Sequence, residues 1–294
     1  MRNYNILEDI EELKESINNY IKRHSLNIEN MENYNENITL KKYNNFHLAM
    51  SSFFDFYLLT LQLSLKRDKD RWLDKEKFLT GISTITFWRL RASYLIFKKG
   101  YAIEAISLLR GALENILTMI ALLNNIITTE NTFVDILPSN IDMSNKEQLR
   151  KVLRKNVFKI DEKIKKAVIG KDSPISPEAQ KMFAVIFRHM HSCTHKSMEN
   201  IYKYVFSWMR GEIVLYPLPT INDTHISTYV NLSAYLAKIM IGFLPNIYEN
   251  SLNKNNIFVD NYNKIKRVFN YLLSGDQYNN YIEEFIMKMI SKVL

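Results

Sequence analysis

Residues 186–200, IFRHMHSCTHKSMEN, concentrate side chains that can bind phosphate or transfer protons. If this segment is a helix, with 100° of rotation per residue, five polar side chains share one arc of roughly 100°. They are Arg188, His191, Ser192, His195 and Glu199. A buried polar group without a partner costs about 1–3 kcal/mol. The stripe therefore indicates either a polar partner on a neighbouring element or a cleft.

Arg188 and His195 are the candidate catalytic pair. A guanidinium carries a permanent charge and can bind two phosphate oxygens at once, and an imidazole exchanges protons near neutral pH. Seven residues span nearly two helical turns, about 10.5 Å along the axis, so both side chains emerge on one side. The pair predicts metal-independent RNA cleavage, in which a 2′-hydroxyl attacks phosphorus. Ser192 and His191 are expected to bind substrate or orient His195.

A second polar seam is predicted on a helix over residues 101–125. Six residues lie on one face about 120° wide, and the other faces are apolar. They are Glu104, Ser107, Arg110, Gly111, Glu114 and Thr118. Arg110 and Glu114 are four residues apart, so they can form an ion pair within the helix. That pair either fixes the packing of the helices or faces the stripe at 188–199 as its supporting shell.

Two other functions remain open beside the ribonuclease. In one, the protein is a non-catalytic sensor or interaction protein, and Arg188 and Arg110 bind an anionic ligand or partner without breaking a bond. In the other, His191 and His195 hold a metal ion, with Glu199 one turn further along. The chain lacks the glutamate-rich pairs of di-iron bundles and has no glycine loop of the kind that binds phosphate or dinucleotides. We therefore expect neither a metal nor a cofactor.

The composition predicts an all-α, multi-helix bundle. Only 7 glycines and 6 prolines occur in 294 residues, which leaves few tight turns for a sheet protein. Long antiparallel central helices are expected at 46–65, from about residue 72 to a stop at Gly100, and at 101–125. A helix opened by Ser176 and Pro177 can run to about Met209, with an irregular or short extended excursion at 210–219. A further helix is expected from Asp223 to about Phe243.

The chain is expected to form one compact unit with three parts. Residues 1–45 hold an N-terminal helix and an Asn-rich stretch, which is either a connection or a frayed helix. Residues 46–250 form the helical core, and a C-terminal helical pair at 251–294 packs on it. The start of the chain lacks the apolar core of a signal peptide, and the most apolar helix contains Arg110 and Glu114, which are costly in lipid. A cytoplasmic protein without a membrane segment is therefore predicted.

A net charge of +8 favours polyanionic partners such as RNA. The tryptophans, including Trp88, are expected in the core rather than as a platform for stacking bases. His47 stands alone in the sequence and is expected at the surface.

The motif RHMHSCTH at 188–195 is similar to the Arg-x(4–6)-His signature of the HEPN superfamily of helical bacterial defence and toxin proteins. RASYLIFKKGYAIEAISLLRGALEN resembles a helical hairpin found in proteins placed near that superfamily. The matching positions are Arg91, Gly100, Glu104, Ala105, Arg110 and Glu114, followed by Ser192 and His195. The resemblance covers roughly residues 80–210. It implies a homodimer with a cleft at the interface, an antiphage or toxin ribonuclease, and an antitoxin or other defence-system partner.

Overall fold

The helices account for most of the chain that a computed structural model describes. Residues 28–66, 74–125, 223–248 and 251–274 are described continuously. The others described are 11–17, the strands given below, and positions 19, 127, 147, 151, 164, 177, 180, 181, 183, 184, 186, 187 and 190. The main helices are α1 (Ile28–Lys42), α2 (Asn44–Leu65), α3 (Asp74–Lys98), α4 (Ala102–Leu123), α5 (Asp223–Ile247) and α6 (Asn256–Ser274). The predicted all-α bundle is confirmed.

The α3–α4 hairpin turns at Gly100, where the sequence predicts a helix stop. The amide of Gly100 donates to the carbonyl of Phe97 at 2.9 Å, and that of Tyr101 donates to Ile96 at 3.3 Å. This double closure caps the last carbonyls of α3 and needs a left-handed residue after the helix. Gly100 supplies that conformation, with φ +100°. The short turn makes α3 and α4 antiparallel, as expected.

α5 lies at the centre of the bundle, and it contacts α2, α3, α4 and α6. Its Tyr229 is fully buried and stacks on Phe97 of α3 with ring centroids 4.1 Å apart. The Tyr229 hydroxyl lies 3.1 Å from Ser93 Oγ, so the buried oxygen has a partner. The helix was expected to end near Phe243, but it continues through Pro245 to Ile247. Ile247 is fully buried, which explains why packing extends the helix past the proline.

α1 and α6 flank the bundle. α6 packs on α2 and α5, and its buried side chains are Phe258, Ile265, Phe269 and Leu272. α1 lies in the Asn-rich stretch for which the sequence left a connection and a frayed helix open, and it packs on α2 and α3. α2 begins at Asn44, two residues before the predicted start of the core. The division into three parts stays a prediction.

Two short strands follow in the segment before α5. β1 (Phe206–Met209) and β2 (Glu212–Leu215) pair antiparallel, with Phe206 opposite Leu215. The prediction that the helix opened at Pro177 reaches Met209 is therefore wrong at its end, because the last four of those residues are extended. β2 lies within the predicted excursion at 210–219. Backbone pairing between the strands takes the place of helical hydrogen bonds there.

Candidate functional site

The predicted stripe at 188–199 lies outside the described residues. This applies to both candidate catalytic residues, Arg188 and His195, and to His191, Ser192 and Glu199. The described positions between 177 and 190 are helical, and three apolar ones, Phe183, Ile186 and Met190, are buried. Convergence of this stripe with the seam on α4 therefore stays a prediction.

The seam on α4 is described, and it is the least buried side of that helix. Twelve apolar residues of α4 are buried, whereas Arg110, Gly111 and Glu114 are half-buried. Arg110 Nε donates to Glu114 Oε1 at 3.3 Å, which is the ion pair that the four-residue spacing predicts. Ser107 and Thr118 donate their hydroxyls to helix carbonyls four residues earlier. The seam therefore keeps a charged pair partly open to solvent.

Arg89 of α3 reaches the same seam, which the sequence did not predict. Its Nη1 donates to the carbonyl oxygen of Gly111 and to Asn115 Oδ1, the latter at 3.3 Å. A Cβ atom at position 111 would lie 2.7 Å from Arg89 Nη1. The glycine therefore provides the space for the guanidinium. We call Arg89, Arg110, Gly111, Glu114 and Asn115 the arginine seam.

Asn115 has one unsatisfied polar atom at the arginine seam. Its Oδ1 accepts from Arg89, which fixes the orientation of the amide because a flipped amide would turn its donors towards the guanidinium. The Nδ2 atom is buried and has no acceptor. The side chain therefore presents a donor that no atom of the described residues accepts.

Arg91 takes a different position from Arg89. It was the arginine matched through the resemblance, but it lies exposed on α3 with its Cζ 4.9 Å from the Phe54 ring centroid and 5.7 Å from that of Tyr94. Two residues correspond to about 200° of helical rotation, so Arg89 and Arg91 point to different sides. Arg89 is the arginine of α3 that contacts α4.

A second polar cluster joins α1 to the α3–α4 turn. Glu36 lies between Lys98 and Lys99, with N–O distances of 2.5 and 2.9 Å. These ammonium groups hold the pKa of Glu36 below its usual value. Tyr101 donates its hydroxyl to Glu32 Oε1 at 2.9 Å. We call Glu32, Glu36, Lys98, Lys99 and Tyr101 the anchor cluster. They line an open cavity of about 560 Å³, together with Leu95 and Ile96.

His47 is buried beside this region, so its predicted surface position is wrong. Its Nδ1 lies 3.0 Å from the Tyr94 hydroxyl, and its ring stacks on Phe97. Burial lowers the pKa of His47 to about 4, so the imidazole is neutral at pH 7. The core position predicted for Trp88 is also wrong, because 62% of this residue is exposed on α3. Both positions follow from helix packing, which isolated residues in a sequence do not reveal.

Within the part of the chain that the structure describes, no group of three or more His, Cys, Asp or Glu side chains could hold a metal ion. Three residues of the metal alternative, His191, His195 and Glu199, lie outside the described residues, and the fourth, Glu114, lies on α4. By length and composition alone, three helices could cross a membrane: Asn44–Leu65, Ala102–Leu123 and His225–Ile247.

Comparison of the chain with protein-family models, curated proteins and solved structures finds no match.

Proposed function

We propose that this protein is a metal-independent endoribonuclease of a bacterial antiphage defence or toxin system. The observation that carries the proposal is the arginine seam, which keeps Arg110 and Glu114 partly open to solvent on a helix whose other faces are buried. The predicted stripe at 188–199 supplies the two groups that RNA cleavage requires. The net charge of +8 suits a polyanionic substrate.

In the proposed reaction, Arg188 binds the non-bridging oxygens of one phosphodiester and neutralises their charge. His195 accepts the proton of the ribose 2′-hydroxyl as the oxygen attacks phosphorus. The bond from phosphorus to the 5′-oxygen breaks, the leaving oxygen takes a proton from water, and His195 returns its proton to the solvent. The products are one strand with a 2′,3′-cyclic phosphate and one with a 5′-hydroxyl. Glu114 and Arg110 orient the catalytic groups, and Ser192, His191 and Glu199 support them.

The test is RNA cleavage by purified protein in the presence of a chelator. His195→Ala removes the proton-transfer group, so we expect the rate to fall by about 10²- to 10⁴-fold. His24→Ala removes another histidine of the chain and serves as the control. End-group analysis of the products should find cyclic phosphates. Unchanged cleavage by His195→Ala, or cleavage that a chelator abolishes, would exclude the mechanism.

Non-catalytic binding of an anionic ligand or partner is the second candidate. Arg89 favours it, because both of its observed acceptors are neutral, so its positive charge is available to a ligand. Tight RNA binding without turnover, by protein that retains both Arg188 and His195, would identify this function. A homodimer and an antitoxin or defence-system partner belong to either candidate and stay predictions.

The cytoplasmic location also stays a prediction. The three helices that are apolar enough to span a membrane argue against it by composition. Two features support it. α5 lies at the centre of the bundle, and an apolar helix in that place is typical of a protein core. The exposed side of α2 carries Asn45, Ser52 and Asp55, which are costly against lipid.

A further inference from the structure

Arg89 carries a positive charge that no described carboxylate neutralises. The side chain is half-buried where α3 crosses α4. Its acceptors are a backbone carbonyl and the Asn115 amide oxygen, and both are neutral. No ion pair joins Arg89 to a carboxylate among the described residues. A cation that is partly removed from water needs a counter-ion, and here that ion must come from outside the described bundle.

The hydrogen-bond donors of the site also exceed its acceptors. A guanidinium has five N–H donors, and the observed bonds of Arg89 use only its Nη1. The buried Asn115 Nδ2 beside it has no acceptor. A ligand that satisfies this site must carry several acceptors and a negative charge. A phosphate group has both properties.

The neighbouring charges suit a phosphate. Glu114 contributes the one carboxylate of the arginine seam, and Arg110 already binds it. Among the described residues, two guanidinium groups, those of Arg89 and Arg110, accompany one carboxylate at the arginine seam. Gly111 lets the Arg89 guanidinium approach the helix backbone, because any larger residue would place its Cβ against the Nη1 and Cζ atoms, at 2.7 and 2.8 Å.

We propose that Arg89 and Asn115 form a phosphate-binding site on the arginine seam, and that Gly111 positions Arg89 in it. Arg89 binds the oxygens of a phosphate on the RNA strand, and the Asn115 amide donates to the same group. This site holds the substrate and takes no part in proton transfer. The identity of the ligand as an RNA phosphate rests on the proposed function, whereas the presence of an anion site does not.

The first experiment measures the melting temperature of the full chain as inorganic phosphate is added at constant ionic strength. We expect phosphate to raise the melting temperature of the unchanged protein and of Arg91→Gln, and to leave that of Arg89→Gln almost unaffected. Arg91→Gln is a matched control because it removes the same charge from the exposed side of the same helix. An equal rise in Arg89→Gln, or none in the unchanged protein, overturns the site.

Gly111→Ala provides a second route, which also serves if Arg89→Gln does not fold. The added methyl group displaces the guanidinium while the charge stays in the protein. We expect the phosphate response to fall as it does in Arg89→Gln. A full response in Gly111→Ala would show that the position of Arg89 is irrelevant and would overturn the positioning role of the glycine.

The second experiment measures RNA binding by fluorescence anisotropy in the His195→Ala background, where strands remain intact. Arg89→Gln should weaken binding and lower the slope of log affinity against log salt by about 0.7, the value for one lost phosphate contact on a single strand. Arg91→Gln should change both less. Equal effects of Arg89→Gln and Arg91→Gln would mean that RNA binding depends only on the overall surface charge, and the site would be rejected.

The two proposals fail separately. If phosphate stabilisation depends on Arg89 but His195→Ala does not alter RNA cleavage, the ribonuclease is wrong and the anion site stands. If cleavage depends on His195 but Arg89→Gln responds to phosphate like the unchanged protein, the anion site is wrong and the ribonuclease stands.

Discussion

The anchor cluster and the arginine seam both involve the α3–α4 hairpin, but they differ in how their charges are satisfied. In the anchor cluster, one carboxylate lies between two ammonium groups, and a tyrosine hydroxyl donates to a second carboxylate. In the arginine seam, Arg89 has only neutral acceptors and Asn115 Nδ2 has none. Partners within the protein indicate a structural role, whereas unmatched donors and charge indicate a ligand.

One glycine lies next to the anchor cluster and another in the arginine seam, and each position requires glycine for a different physical reason. Gly100 adopts φ +100°, and a Cβ atom there would lie 2.3 Å from Asn35 Nδ2. Gly111 is inside a helix with no positive φ, and the three atoms nearest to a Cβ there all belong to the guanidinium group of Arg89. The backbone requires the first glycine, and a neighbouring side chain requires the second. Replacing each glycine with alanine should therefore affect stability differently in the two regions.

Gly100→Ala should have the largest effect on stability. The new residue would be held in a left-handed conformation and would collide with Asn35, which itself donates to the Lys99 carbonyl at 3.3 Å. We expect unfolding to become easier by about 4 kcal/mol, from backbone strain and the loss of this packing. Urea denaturation measures the change.

Gly81→Ala on α3 is the matched control for that substitution. Nothing lies within 4 Å of a Cβ atom at position 81, and the residue is in a helix. The alanine should raise stability by about 0.5–1 kcal/mol. If Gly100→Ala and Gly81→Ala change stability alike, the turn at Gly100 does not hold the hairpin in the way described.

Lowering the pH should destabilise the fold by protonating His47, which is buried beside the anchor cluster. Its folded pKa of about 4 lies below the ordinary value of 6.5, so the unfolded chain binds the proton more readily. The stabilising effect of the neutral ring is complete above pH 6.5 and is lost as the pH falls towards 4. The loss amounts to about 3 kcal/mol. Chemical denaturation at a series of pH values measures it.

His47→Asn tests the assignment, because an amide atom can take the place of Nδ1 opposite the Tyr94 hydroxyl and does not titrate. The variant should lose most of the pH dependence between 6.5 and 4.5. Glu36 accounts for little of that window, because its stabilising effect is lost only as the pH falls through the ordinary carboxyl pKa of 4.5 towards its lower folded value. A slope that persists in His47→Asn would assign the acid sensitivity to other groups.

The sequence predicted those elements that depend on local patterns. Apolar periodicity and a glycine stop predicted α3, α4 and the turn at Gly100, and a four-residue spacing predicted the Arg110–Glu114 pair. Each of these depends on residues that are neighbours along one helix. Local geometry is enough to predict them.

Apart from the strand at Phe206–Met209, where the sequence predicted helix, the failures concern contacts between helices. Arg89 and Arg91 look equivalent in the sequence FWRLRAS, and only the crossing of α3 and α4 distinguishes them. His47 is buried because Tyr94 and Phe97 of α3 pack on it. The one usable sign was Gly111, since a glycine within an apolar helix is unfavourable. The sign is not specific, because Gly242 of α5 also lies in an apolar helix and has nothing within 4 Å of a Cβ atom.

The smallest predicted effect tests whether the lack of a side chain at Gly111 is what allows the Arg89 guanidinium to approach α4. In the unchanged protein, Gly111→Ala gains helix propensity but displaces the guanidinium and its hydrogen bonds, so stability should change little. In an Arg89→Ala background the obstacle is absent, and the same substitution should stabilise the fold by about 1 kcal/mol. The double-mutant cycle should therefore give a coupling energy of about 1 kcal/mol between the two positions.

Gly81→Ala is the control, measured in the unchanged protein and in Arg89→Ala. It checks that the coupling energy arises from the contact between positions 89 and 111 and not from a general effect of removing Arg89. Position 81 is two helical turns from Arg89 and has no neighbour within reach of a methyl group, so its effect should be the same in both. Equal effects of Gly111→Ala with and without Arg89 would mean that the glycine serves another purpose. In that case nothing would indicate that Gly111 positions the Arg89 guanidinium for a ligand, and the contrast drawn between the arginine seam and the anchor cluster would be wrong.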